Sequence, residues 1–353
     1  MRILAIDTSC DETAAAIVEG RRVLSNVIYS QILIHKKWGG VVPSLAKRAH
    51  EERIDFVIDE TIRKFLDPVR KFPPFFSSTQ KLDAIAVTQG PGLAVALEVG
   101  IKKAKELAKQ FNKKLIAVNH LEGHIYSPFV QNSQGNPSID FKFPYLALVI
   151  SGGHTEFVKF SDHLKYEVIG STLDDAAGEA LDKAAKLLGL GYPGGQVIER
   201  LAKEVDNKDS HKFPRPMLKS NDLNFSFSGL KTSFYYFLKK NQLHSTETVD
   251  IRQLASSFQE AVFDTVIKKT EKAIKKTGIN RLIVGGGVIA NLYLRKLFRD
   301  LVKKHNGEVL FPSFKYLTGD NAAMIGVVAG FKAEKGMFIK DIDALDRIPR
   351  MTL

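Results

Sequence analysis

Residues 2–24 read RILAIDTSCDETAAAIVEGRRVL. An apolar run, a short polar turn and a second apolar run are the pattern of a β-hairpin with both strands buried. The design returns at residues 144–163, PYLALVISGGHTEFVKFSDH, as strand, small polar turn and strand. A unit met twice implies two related halves, each opening on a strand-turn-strand element whose turn faces a common cleft. Between and after the hairpins the pattern changes. Residues 82–111, LDAIAVTQGPGLAVALEVGIKKAKELAKQF, and 280–304, NRLIVGGGVIANLYLRKLFRDLVKK, each read as strand, glycine turn and helix. Residues 114–129, KLIAVNHLEGHIYSPF, read as strand then helix. Strands alternating with helices predict an α/β fold with largely parallel sheets. Mainly helical insertions are expected at 43–66 and at roughly 174–278. The Asn-, Ser-, Gly- and Pro-rich stretch at 128–144 is a natural boundary, so the division is placed near residue 130, between lobes 1–130 and 131–353.

The chain has 353 residues, 44% of them hydrophobic, enough for two moderate cores. Lys and Arg total 51 against 39 Asp and Glu, a formal net charge of +12, which makes a polyanionic partner plausible. Part of that excess lies on amphipathic stretches such as VIKKTEKAIKKTG at 266–278, where lysines can equally solvate an exposed face. There is no signal-peptide pattern at the start and no long uncharged apolar run, so a cytoplasmic protein without a membrane span is expected. The lone Cys10 cannot form an internal disulfide and reads as a small buried filler.

Glycine-rich or acidic turns follow apolar strands at DTSCDET, TQGPGLAVALEVG, SGGHTE and GGGVIAN. Such turns offer backbone N–H groups and close approach to a phosphate, although strand-to-helix turns use glycine for geometry alone. No G-x-x-x-x-G-K-[ST] occurs, and GGGVIAN lacks the full dinucleotide fingerprint. The paired hairpins fit the arrangement of actin, sugar kinases and Hsp70, in which two such turns grip nucleotide phosphates. On that reading Asp7 and Asp11 face the phosphates with Ser9 nearby. The alternative is that both carboxylates only close the turn.

His120 and His124 lie four apart on a helical stretch and so share one face, as zinc ligands do. A zincin would place its glutamate directly after the first histidine. Here that position is Leu121, and Glu122 lies about 200° around the helix from His120. The ligand pair is present without the protease base. Asp320, in YLTGDNAAMIG, is a candidate third ligand, and its position equally suits a helix N-cap.

Motifs in order along nearly the whole chain complete the picture: AIDTSCDETAAAIV, GGVVPSLAKRAH, TQGPGLAVALEVG, NHLEGHIYS, LVISGGHTE, DDAAGEALDKAAKLLGLGYPGG, FSFSGLKT, GGGVIAN and TGDNAAMIG. The chain resembles the tRNA N6-adenosine threonylcarbamoyltransferase family, and the H-T-E hairpin resembles its bacterial branch, TsaD. The family was once labelled O-sialoglycoprotein endopeptidase. The resemblance implies an actin-like two-lobed fold and one divalent metal, iron(II) first with zinc as the alternative, on His120, His124 and Asp320. It implies threonylcarbamoyl-adenylate as donor and N6 of adenosine 37 as acceptor, in tRNAs reading codons that begin with A. Positions matching the adenylate site are Val149, Ile150, Ser151, Gly152 and Gly153, with Asp182, Gly195 and Asn291. Asp11 and Glu12 match acidic positions important for activity. Helper proteins are implied too: an inactive paralogue, TsaB, and a small ATPase, TsaE. Departures from the family pattern are Ser44 in place of glutamate, Val95 and Glu98 in the second glycine motif, and Val149 where archaeal and eukaryotic relatives carry a further tyrosine ligand.

Overall fold

The structure, a computed structural model, describes residues 1–66, 81–244 and 250–353. These residues form two compact units: Met1–Lys142 with His163–Lys165 and Pro312–Leu353, and Phe143–Asp162 with Tyr166–Phe311.

In the first unit the opening hairpin is β1 (Arg2–Asp7) and β2 (Glu12–Glu19), antiparallel with Asp7 opposite Ala14. β3 (Arg22–Ser30) adds to β2. A short helix, α1 (Ile32–His35), precedes the long α2 (Pro43–Leu66). β4 (Ala84–Gly90) then lies parallel to β1, α3 (Ala94–Gln110) follows, and β5 (Lys114–Asn119) lies parallel to β4. The sheet order is β3-β2-β1-β4-β5. β1 and β4 are buried almost throughout, as central strands covered by helices must be. α4 (His120–Tyr126) leaves the end of β5.

The second unit repeats the plan strand for strand. β6 (Tyr145–Ile150), β7 (Thr155–Asp162), β8 (Lys165–Ser171), β9 (Arg281–Gly285) and β10 (Glu308–Leu310) form a sheet of order β8-β7-β6-β9-β10. β6 pairs antiparallel with β7 and parallel with β9. Position for position this is the order of the first sheet. The two sheets share the duplicated actin-like topology that the twin hairpins predict. Between β8 and β9 lie α5 (Ala177–Leu187), α6 (Gly194–Lys203), α7 (Ser228–His244) and α8 (Ile251–Thr277), the expected helical insertion. They bury Phe225, Phe227, Phe234, Phe258 and Phe263 in one core with Leu148 and Phe157 of the sheet. α9 (Leu292–Lys304) follows β9.

The boundary differs from the expected one in two respects. The first unit runs to Lys142, because the linker is bonded to it: Val23 N donates to Gln131 O (2.8 Å) and Gln131 N to Arg21 O (2.8 Å). The chain also returns to the first unit at Pro312. Its last helix, α10 (Ala322–Glu334), is apolar around nearly its whole circumference and needs cover on every side. It packs on β1 and β2, and the tail beyond it buries Leu345 in the first core. Gly326 is the closest point of that packing. A Cβ there would lie 2.7 Å from Val18 Cγ2 and 3.2 Å from Ala5 Cβ. Val18 is β-branched and stiff, so it cannot swing aside. Gly326→Ala is therefore expected to cost about 1–3 kcal/mol of stability by overpacking, measured by urea denaturation.

Candidate metal centre

β5 ends at Asn119, whose side chain accepts a hydrogen bond from Leu121 N (2.8 Å), while Glu122 Oε2 accepts one from Asn119 N (3.2 Å). This capping box starts α4 at His120 and sets the phase of the helix, so His124 falls one turn above His120. Both imidazoles are buried, and their Nε2 atoms converge on Asp320 Oδ1 at 3.2 Å for His120 and 3.3 Å for His124. One ligand atom from each of the three residues lies within 4.8 Å of the others. Behind them, Asp7 Oδ2 stands 3.6 Å from His120 Nδ1.

Asp320 is free for this role because the N-cap expected of it falls to its neighbour: Asn321 caps α10 by accepting from Met324 N (3.0 Å). The two ligand-bearing helices are held together at two points. Glu122 Oε2 pairs with Lys332 Nζ at 2.7 Å with both side chains buried, and Lys332 also donates to Ala117 O (3.2 Å). At Gly123 a Cβ would meet Met324 Cγ at 2.9 Å, so glycine lets α10 come close. Glu122 Oε2 thus serves both the cap and the ion pair. It is excluded as a protease base by its bonds as well as by its angle.

The electrostatics favour a cation. Burial works against the charge on Asp320, yet His120 and His124 hold its carboxyl well below the usual range. Burial lowers His120, but Asp320 and Asp7 outweigh it and raise the imidazole to about 9. Burial keeps His124 below its ordinary value, and burial raises Asp7. Both ring nitrogens of His124, His120 Nδ1 and Asp7 Oδ2 are buried without a hydrogen-bond partner. Each such group costs about 1–3 kcal/mol when left unsatisfied. Two imidazoles and a carboxylate fit iron or zinc, and offer too few oxygens for calcium or magnesium.

The β1–β2 turn completes the first unit's site. Ser9 N donates to Asp7 Oδ1 (3.1 Å) and Ser9 Oγ to Asp320 Oδ2 (3.5 Å). Asp7 therefore stands behind His120, and its Oδ1 closes the turn through Ser9 N, which is the alternative reading of this carboxylate. Asp11 is buried and Glu12 half-buried next to it; burial and then Asp11 push the Glu12 carboxyl well above its ordinary value. Ser30 Oγ donates to Glu12 Oε1 (3.3 Å). The Cys10 thiol is raised by burial and by Asp11, which disfavours the thiolate. His50 fixes the turn, with Nδ1 at 2.8 Å from Thr13 Oγ1 and Nε2 at 3.0 Å from Cys10 O.

In the second unit, Val149 and Ile150 are wholly buried in β6, leaving only their backbone for a ligand. Ser151 Oγ accepts from Gly153 N (3.3 Å) and His154 N (3.0 Å), while Gly152 and Gly153 face open space. The start of α5 is pressed on this turn: Gly178 N donates to Ser151 O (3.2 Å), and a Cβ there would lie 2.6 Å from that oxygen. Asp182 Oδ1 accepts from Gly194 N (2.7 Å) and Gly195 N (3.2 Å), capping α6 from α5. Space is open at Gly195. Asn291 caps α9 through Leu294 N (2.9 Å) and donates to Gln259 Oε1 (3.0 Å). Lys332 and Gln259 support these sites without any motif to mark them, since each acts through a distant partner, whereas Gly178 lies in the motif DDAAGEALDKAAKLLGLGYPGG.

Two outcomes follow. At pH 7 the metal-free site holds His120 protonated, so zinc binding should release close to one proton, and affinity should fall tenfold per pH unit below about 9. Calorimetry in buffers of different ionisation enthalpy measures this. Lys332→Ala, which strands Glu122, is expected to cost about 3–5 kcal/mol of stability, measured by urea denaturation, and to weaken metal retention, measured by elemental analysis.

The family model described as TsaD, tRNA N6-adenosine threonylcarbamoyltransferase, matches residues 22–327. A protein of that name from Endomicrobium trichonymphae is 49% identical over 336 residues, 95% of this chain and 93% of its own. One from Kosmotoga olearia is 45% identical, covering 96% and 95%. One from Thermosipho africanus is 44% identical over the full length of both chains. Among solved structures, a nucleotide-bound full-length HypF superposes with a TM-score of 0.58 at 15% identity, over 96% of this chain and 56% of that one. HypF from T. kodakarensis gives 0.59 at 14%, over 97% and 48%. These two likenesses concern the fold. The sequence matches decide the rest: the chain belongs to the tRNA N6-adenosine threonylcarbamoyltransferase family.

Proposed function

We propose that the chain transfers the threonylcarbamoyl group of threonylcarbamoyl-adenylate to the N6 amine of adenosine 37 in tRNAs reading codons that begin with A. The observation that carries this reading is the convergence of the buried His120 and His124 on the partly exposed Asp320 in a chain of this family, with Glu122 paired to Lys332. A metalloprotease needs that glutamate free. An actin-like ATPase or sugar kinase has no use for the triad.

His120, His124 and Asp320 would hold the metal, iron(II) first and zinc second, and Asp7 places a carboxylate 3.6 Å behind the His120 ring. A divalent metal there supplies Lewis-acid polarisation of the carbamoyl oxygen. The amine nitrogen forms a bond to the carbamoyl carbon, the carbon–oxygen bond to the phosphate breaks, and AMP leaves with the electron pair. The amine's proton passes to the Asp11–Glu12 pair. Burial and the neighbouring Asp11 raise the Glu12 carboxyl, which makes its ionised form a stronger proton acceptor than a free carboxylate. The open backbone at Gly152, Gly153 and Gly195 suits the adenylate. The net charge of +12 suits tRNA. Among the described residues no helix is long and apolar enough to cross a membrane, and the cytoplasm, where tRNA is modified, is the site of action that this reading implies. TsaB and TsaE are the helpers expected.

Mass spectrometry of tRNA incubated with the protein, threonine, bicarbonate, ATP, the adenylate-forming enzyme and the helper proteins tests the reading. Modified adenosine should appear with the wild type and be lost with His124→Ala; peptide products or a phosphorylated sugar would replace it with a rival. In single turnover the rate should rise with pH as Glu12 ionises. Glu12→Gln should remove that limb and slow transfer by roughly 10²–10⁴-fold. An unchanged rate in the Asp11→Ala, Glu12→Ala double variant would end the proton-acceptor role.

A further inference from the structure

Residues 31–42, between β3 and α2, have an inner side that is pinned and an outer side that is unusual. Gln31 and His35 are fully buried. Gln31 N donates to Asp11 O (2.9 Å), so the segment hangs from the acidic turn itself. His35 Nε2 lies 3.1 Å from Gln31 Oε1, and Val42 N donates to His35 Nδ1 (3.3 Å), which closes the loop from within. A 3-10 turn, Lys36–Trp38, ends on Gly39 in the left-handed region at φ 64°.

The outer side carries Leu33 at 80% exposure and Trp38 at 62%. Lys36 and Lys37 are exposed beside the indole, and neither has an ion pair among the described residues. From Ile32 to His50 the chain has no Asp or Glu. The other cations there are answered: Lys47 by Glu51 and Glu98, at 3.9 and 3.7 Å, and Arg48 by Glu52 at 2.8 Å. Unbalanced positive charge is thus concentrated at the tryptophan. Tryptophan is ordinarily well buried on average. An exposed indole held on a fixed backbone directly after two unpaired lysines is the chemistry that binds unpaired nucleic-acid bases, with stacking on the ring and phosphates on the cations.

We propose that Trp38 is the stacking platform for an unpaired base of the acceptor RNA, and that Lys36 and Lys37 hold the flanking phosphates. The inference rests on tRNA being the acceptor. It names the residues that bring a single-stranded loop to the Asp11–Glu12 turn.

Trp38 is the only tryptophan of the chain, so its emission reports this site alone. Titrating the protein with substrate tRNA, and with its isolated anticodon stem-loop, should quench that emission along the curve that filter binding gives. Trp38→Ala should raise the tRNA KM by roughly 5- to 100-fold, with a smaller effect on kcat, and Trp38→Phe should restore most of the loss. Replacing Lys36 and Lys37 by Ala should lower the salt dependence of binding by about 1.4 in the log–log slope. Unchanged melting temperatures would show that the variants fold. RNA binding and transfer with unaltered tryptophan emission and an unaltered KM in Trp38→Ala would overturn the stacking role and leave the transferase intact. Absence of RNA binding and transfer by the wild type would instead overturn the transferase reading. An emission shift on adding a helper protein without RNA, abolished with its binding by Trp38→Ala, would assign the platform to protein contact and overturn the proposal.

Discussion

Asp320 brings a negative charge to two buried imidazoles, and the first unit is arranged around keeping it there. Without compensation a buried carboxylate would take up a proton. Here His120 and His124 stabilise its charge, Asp7 backs His120, and the capping box of α4 fixes where both rings stand. Because Asp320 comes from the far end of the chain, the site also depends on how α10 is seated. That seating rests on the Glu122–Lys332 pair, on the absence of a side chain at Gly123, and on the fit of Gly326 against Val18. A buried ion pair adds little net stability, but it is costly to break, which makes it effective at enforcing one register.

Duplication explains how one topology serves different chemistry. Both sheets have the same strand order, and both begin with an antiparallel hairpin. The turn of the first is acidic and tied to the histidines through Asp7 and Ser9. The turn of the second is Ser-Gly-Gly, with its backbone open and the start of α5 pressed against it. Substitution in a turn leaves a strand ladder intact, so the two copies can diverge at the site without losing the scaffold.

Glu122 shows how one residue can mislead a reading by motif and then settle it. In sequence it resembles a displaced zincin base. In the fold its Oε2 accepts from the backbone of Asn119 and pairs with Lys332, so it positions the ligand helix and its charge is held by the lysine. Asp182 and Asn291 are comparable: each closes a helix start, and each does so beside open glycine backbone or a buried polar partner.

What the sequence determined by itself was local and periodic. The twin hairpins, the strand-turn-helix units, the helical insertion and the i, i+4 histidine pair follow from alternation, helical spacing and turn chemistry over short windows. The ordered motifs carried the family. What only the tertiary structure decided were the pairings over long separations: Asp320 with the histidines, Lys332 with Glu122, Asp7 turned behind His120, and the return of residues 312–353 to the first unit. A boundary near residue 130 looked natural because the linker composition is that of a loop. Its backbone bonds to Arg21 and Val23 leave no trace in composition. Turn and helix signals are properties of neighbouring residues, whereas the charge on Asp320 acquires its meaning only when folding removes water from around it.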